Sequence, residues 1–185
     1  MAMNLKGTQS EKNLRAALMG ESLARNKYTY YALKASEEGH PEIAELFETM
    51  ARNESYHAKV WYQQLYGEIK DSKENLKDAA SGEYSEWKDM YPSFAKTARE
   101  EGLEDLALLF ERVADIEKSH EETFLKAFIA LSDKKEGVGT PTEDKVKTVV
   151  NGYRCQFCGA TFEERPDVCN VCKAIGSFSN VKIEK

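Results

Sequence analysis

Residues 36–57 and 99–120 are one helical segment written twice. The run "SEEGHPEIAELFETMARNESYH" lies over "REEGLEDLALLFERVADIEKSH" at an offset of 63 (99 less 36). Phe47 falls on Phe110, Glu54 on Glu117 and His57 on His120. Few features restrict a fold more. Each copy holds the end of one helix, a Glu-Glu-Gly break and the start of the next, so each belongs to a helical hairpin. Two like hairpins related by a pseudo-two-fold make a four-helix bundle, and a site on their inner faces should be roughly symmetric.

The rest of the helical part agrees. Residues 8–131 are rich in Ala, Leu, Glu, Lys and Arg and read as helices over 8–38, 41–67, 74–101 and 104–131. Gly39 and Gly102 suit C-cap positions, and Pro41 can start a helix. The charged stretch "SDKKEGVGTPTEDK", 132–145, carries Gly and Pro and marks a domain boundary. Short β-like runs then flank four cysteines. The expected division is a helical domain over 1–135, a linker over 136–149 and a cysteine module over 150–185.

Charge and hydropathy exclude some classes of function. A net charge of -6 argues against sequence-independent nucleic-acid binding. No 18-residue apolar run is present, so no membrane span is expected. The N-terminal residues lack the apolar core of a secretory signal, which points to a cytoplasmic chain with metal-binding rather than disulfide-bonded cysteines.

The apolar stripes of the helices contain charged groups. Phe110, Val113, Glu117, His120, Phe124, Ala127 and Leu131 share one face, as do Phe47, Met50, Glu54, His57 and Trp61. Glu21 interrupts the stripe of Leu14, Ala17, Leu18, Ala24 and Tyr28, and Glu83 that of Leu76, Ala80, Trp87, Met90 and Phe94. Glu86 lies at the same face's margin. Any one of these could be a half-exposed Glu at a stripe edge. Together they place five carboxylates and two imidazoles at symmetric positions in one core. An uncompensated buried ion costs several kcal/mol, and two divalent cations would offset most of this charge. Oxygen and imidazole donors suit iron or manganese. His40, between Gly39 and Pro41, has Leu103 as its counterpart and reads as a surface loop histidine.

Cys155, Cys158, Cys169 and Cys172 form two Cys-x-x-Cys pairs with the spacing of a tetrahedral site, which holds structural zinc or redox iron. Tyr153 and Phe162 suit the small aromatic core of such a module.

The segments "ESLARNKY" (21–28), "ESYH" (54–57), "GEYSEWKDMYPSFAKTAREEG" (82–102) and "EKSH" (117–120), followed by the four-cysteine tail, resemble the rubrerythrin family over nearly the whole chain. The resemblance implies a mainly α protein: a ferritin-like four-helix bundle with a small C-terminal rubredoxin-like β domain. It implies two non-haem irons held by Glu21, Glu54, His57, Glu83, Glu86, Glu117 and His120. Glu54 and Glu117 would bridge them, and Glu86 would alternate with His57 as a ligand. Tyr28 and Tyr91 match the family's tyrosines near the site and join Glu86 as candidate catalytic residues. The tail would hold one iron on its four cysteines.

The implied activity is that of a peroxidase in oxidative-stress defence. Hydrogen peroxide would be reduced to water, with electrons entering through the tail iron. A separate NAD(P)H-linked reductase or a rubredoxin would supply them. The resemblance also implies a head-to-tail homodimer. The rival readings are a ferroxidase or iron-handling protein, and a zinc-loaded binding protein without catalysis.

Two departures stand out. The family's knuckles usually read Cys-Pro-x-Cys-Gly, whereas Gln156, Asn170 and Lys173 replace both prolines and the second glycine here. Should Lys173 keep a positive φ, the penalty is roughly 1–2 kcal/mol. The second departure is internal. At offset 63 Glu21 falls on Tyr84, not Glu83, so the third helix carries one extra residue before Tyr91. A π-bulge absorbs such an insertion, and a helix irregularity is expected near 83–91.

Overall fold

A computed structural model describes residues 5–133 and 149–184. The expected 136–149 linker lies outside the described residues except for its last position. The chain divides into two compact units, one ending at Ile69 and the other beginning at Lys70.

The first unit is a hairpin of α1 (Gln9–Glu37) and α2 (Pro41–Tyr66). Thr8 caps α1 by accepting from the Glu11 N–H, while the Glu11 carboxylate accepts from the Gly7 N–H at 2.7 Å. Gly39 closes the helix at φ 78, and the His40 N–H reaches back to the Ala35 carbonyl at 2.8 Å. This is the glycine-terminated cap expected from the sequence, since only glycine adopts that φ without strain.

The second unit holds α3 (Ser72–Ser85), a π-helical turn over Glu86–Met90, α4 (Tyr91–Glu100) and α5 (Glu104–Asp133). The expected third helix is thus one continuous rod with a wide turn in its middle, and the extra residue sits in that turn. Gly102, at φ 76, repeats the cap of Gly39, and the Leu103 N–H repeats the long bond to the Ala98 carbonyl.

The repeat extends to packing. Ala32, Ala35 and Ala44 are buried in the first hairpin; Ala95, Ala98 and Ala107, each 63 residues later, are buried in the second. Side chains this small let the paired helices approach closely. Beside them Tyr28, Tyr31 and Phe47 form an aromatic triangle with ring centroids 6.4, 6.2 and 5.4 Å apart. Tyr91, Phe94 and Phe110 form its counterpart at 6.3, 6.1 and 5.6 Å. Such pairs contribute about 0.5–1.5 kcal/mol each beyond the area they bury.

The same unit carries the tail. Strand β1 (Val149–Cys155) lies between β2 (Thr161–Phe162) and β3 (Phe178–Glu184), both antiparallel to it. Tyr153 stands opposite Phe162, and the Phe162 ring meets Phe178 edge-on at 5.8 Å. The small core joins Cys155, Ala160 and Cys169 to Ile116 of α5, so the tail packs on that helix.

Candidate metal centres

Each hairpin gathers one ligand triad. In the first, Glu21 of α1 meets Glu54 and His57 of α2; in the second, Glu83 of α3 meets Glu117 and His120 of α5. Within each group the candidate ligand atoms lie within 4.8 Å of one another. The Glu-x-x-His spacing puts both side chains on one helix face a turn apart. The geometries match closely. His57 Nδ1 lies 2.8 Å from Glu54 and 3.9 Å from Glu21; His120 Nδ1 lies 2.6 Å from Glu117 and 3.9 Å from Glu83.

The π turn explains how Glu83 comes to match Glu21. Every other paired position is 63 residues apart, but these two are 62 apart. A regular helix would place Glu83 about 100° out of register. The wide turn holds the surplus residue and returns Glu83 to the triad. Glu86 begins that turn and lies outside both triads. Its charge is felt at Tyr91, whose hydroxyl is pushed up first by burial, then by Glu86, Glu117 and Glu83. Tyr91 therefore keeps its proton beside three carboxylates. Tyr28 sits in the aromatic triangle of the first hairpin. His40 is exposed at the start of α2 and joins no ligand group among the described residues.

The second triad suits a cation on electrostatic grounds. Burial, and then the neighbouring Glu117, raise the Glu83 carboxyl above its ordinary range, with His120 only partly opposing. A divalent ion among these oxygens would reverse that sign.

The four cysteines converge as free thiols. Cys155 and Cys172 sulfurs are 3.6 Å apart, and those of Cys158 and Cys169 are 3.7 Å apart. A tetrahedron with metal–sulfur bonds of about 2.3 Å has edges of roughly 3.8 Å, so the cage is already sized for a metal. Burial pushes the Cys158 thiol up to about 12. Burial also opposes ionisation of Cys169, but the N–H groups of Cys172 and Val171, together with the Cys158 and Cys172 thiols, outweigh it and bring that thiol to about 7. Cys172 alone of the four is exposed.

One contact joins the tail to the second triad. Gly159, at φ 80, lies so near His120 that a Cβ there would come within 2.6 Å of its Nε2. With Nδ1 turned to the carboxylates, the far side of the ring faces the first cysteine knuckle. His120 is accordingly less exposed than His57, 29% against 58% for the side chains. Sequence reasoning marks Gly159 only as a knuckle glycine. It also misses Phe178 and the indole of Trp87, which donates to Glu121 at 2.6 Å. Trp87 belongs to the periodic stripe of its helix, but no pattern signals its bond to Glu121, the approach of Gly159 to His120 or the part played by Phe178.

Two helical hairpins with matched carboxylate–imidazole triads, joined to a four-cysteine module, define a metal-binding protein of the ferritin-like class with a rubredoxin-like tail. The rubrerythrin family profile matches residues 12–128. Rubrerythrin-1 of Clostridium acetobutylicum is 38% identical, over 91% of this chain and 92% of its own length. Rubrerythrin of Nitratidesulfovibrio vulgaris is 37% identical over 91% and 92%, and that of Porphyromonas gingivalis 36% identical over 93% and 89%. Among solved structures, fully reduced, all-ferrous nigerythrin is 29% identical, covers 98% of this chain and 92% of its own, and aligns with a TM-score of 0.39. The chain belongs to the rubrerythrin family, a family of di-iron oxidoreductases.

Proposed function

We propose that this protein is a peroxidase that reduces hydrogen peroxide to water in oxidative-stress defence, in the cytoplasm. The observation that carries the reading is the approach of Gly159 to His120. It sets the module able to take up single electrons against a residue of a carboxylate triad. A structural zinc clip has no need of such a contact.

Glu21, Glu54, His57, Glu83, Glu86, Glu117 and His120 are assigned as ligands of two irons. Bound there, iron would supply the two electrons that cleave the O–O bond, restored one at a time from an iron on Cys155, Cys158, Cys169 and Cys172. The chain's own groups orient and protonate. Without metal, Glu54 and Glu117 hold their histidines by Nδ1, so that each ring turns this nitrogen toward the carboxylates and offers it to an iron. A proton must reach the leaving oxygen, and Glu86 is one candidate relay and Tyr91, which keeps its proton, another; Tyr28 is the corresponding tyrosine of the first hairpin. Electrons from a separate reductase or a rubredoxin, ultimately from NAD(P)H, would enter at the exposed Cys172 edge of a module that also exposes Phe157 and Ile175.

Anaerobic metal analysis tests the reading. It requires three irons per chain and a red thiolate band; colourless protein holding only zinc would sink it. A Glu86→Ala variant should lose most peroxide turnover while keeping the red band, and unchanged turnover would remove Glu86 from the mechanism. The resemblance implies a head-to-tail homodimer in which one tail serves the other copy's site. Dilution to a verified monomer separates that route from one within the chain, because only the route between copies slows.

A further inference from the structure

The two cysteine knuckles have the same backbone and different fifth residues. The Gly159 N–H donates to the Cys155 carbonyl and the Lys173 N–H to the Cys169 carbonyl, both at 3.0 Å. The Cys155 and Cys169 N–H groups bond the carbonyls of Ala160 and Ala174, both at 2.8 Å. Both fifth residues have positive φ, 80 and 64. In the first knuckle, His120 leaves no room for a side chain. The second faces solvent and carries a lysine. Lys173 is the one non-glycine residue with positive φ among those described. A strained side chain at a functional site invites the question of what it does there.

Its ammonium donates to the Asn170 carbonyl at 3.1 Å. The same peptide unit carries the Val171 N–H on its opposite edge, next to Cys169 in the chain, and that N–H is among the groups that hold the Cys169 thiol down. The groups form a line: ammonium, peptide carbonyl, peptide N–H, thiolate. A charged donor at one end polarises a hydrogen-bonded chain and strengthens the bond at the other.

We propose that Lys173 sets the redox poise of the four-cysteine centre, by polarising the Asn170–Val171 peptide so that its N–H stabilises the Cys169 thiolate. One-electron reduction of ferric to ferrous iron adds one negative charge to the thiolate cluster. The line of donors therefore favours the reduced form and raises the midpoint potential. Lys173 is a positioning residue: it touches neither peroxide nor the metal. The inference rests on the reading of the tail as an iron centre.

The test is a mediated redox titration of the red thiolate band in the full iron-loaded chain, in parallel with Lys173→Met, Lys173→Gly and Lys173→Arg. Lys173→Met keeps most of the length and the backbone strain but loses the donor. Its reduction equilibrium should weaken about threefold, a fall of about 28 mV at 59 mV per tenfold for one electron. Lys173→Gly should fall by the same amount, although it relieves the strain, and Lys173→Arg should restore the parent value. The shift should survive in molar salt, since a hydrogen-bonded line is not screened as a charge acting through solvent is. Equal midpoints for the parent and Lys173→Met would overturn the proposal, as would a shift that vanishes with salt. A tail that takes up zinc and shows no red band defeats the underlying reading as well, which sets that failure apart from an unmoved midpoint.

Discussion

At the scale of single residues, two positions decide most. Gly159 is held by φ and by space at once. Gly159→Ala forces a Cβ into the left-handed region and against His120 Nε2. The module should lift from α5, and electron transfer from the tail iron should slow at least tenfold in stopped-flow mixing, with little change in the red band itself. Glu83 gives a prediction with a sign. Its carboxyl is raised on folding, from an ordinary value of 4.5. A raised carboxyl binds its proton more tightly in the folded state, so it costs stability as pH climbs past 4.5, and most above the folded value. Metal-free Glu83→Gln should therefore melt above the metal-free parent at neutral pH. The gap should close as pH falls toward 4.5. With iron loaded the order should invert, because the ion uses the charge. Thermal melts across pH, with and without metal, check both halves. The strain at Lys173 has a measurable side too. Glycine relieves roughly 1–2 kcal/mol there but gives back part through a freer unfolded chain, leaving Lys173→Gly about 0.5–1 kcal/mol more stable by denaturant titration.

At the scale of elements, the π turn is the chief lesson in what the chain reveals of itself. The helices were legible because their buried stripes recur with helical spacing, and their ends because Gly39, Gly102 and Pro41 have little choice of conformation. The wide turn was legible for a different reason: the repeat supplies its own ruler, and Glu83 fell one place short on it. The docking of the tail was not legible. His120 of α5 and Gly159 of the first knuckle meet, and neither segment carries a pattern that names the other. Lys88 lies in the π turn with its ammonium over the Trp87 ring and is exposed. Deleting it should restore regular α pairing and carry Glu83 about 100° away from Glu117 and His120. Helix content by circular dichroism should hold, while the iron bound per chain falls by one.

At the scale of the whole molecule, the proposed activity divides into a site that reacts and a module that refuels it. Cys172→Ser removes the exposed ligand of the cage. Peroxide turnover driven by a small reducing dye should persist, while turnover driven by NAD(P)H and its reductase should fall at least a hundredfold. Loss of both would mean that the tail is needed to fold the rest. The doubled hairpin has one more consequence. Because the two triads share chemistry and geometry, each is the built-in control for the other. His57 and His120 hold their glutamates alike, and His120 has in addition the π turn nearby and the cysteine knuckle at Gly159. Whatever separates the behaviour of the two histidines under identical substitution is therefore a reading of those added neighbours, a subtraction that the internal repeat makes possible.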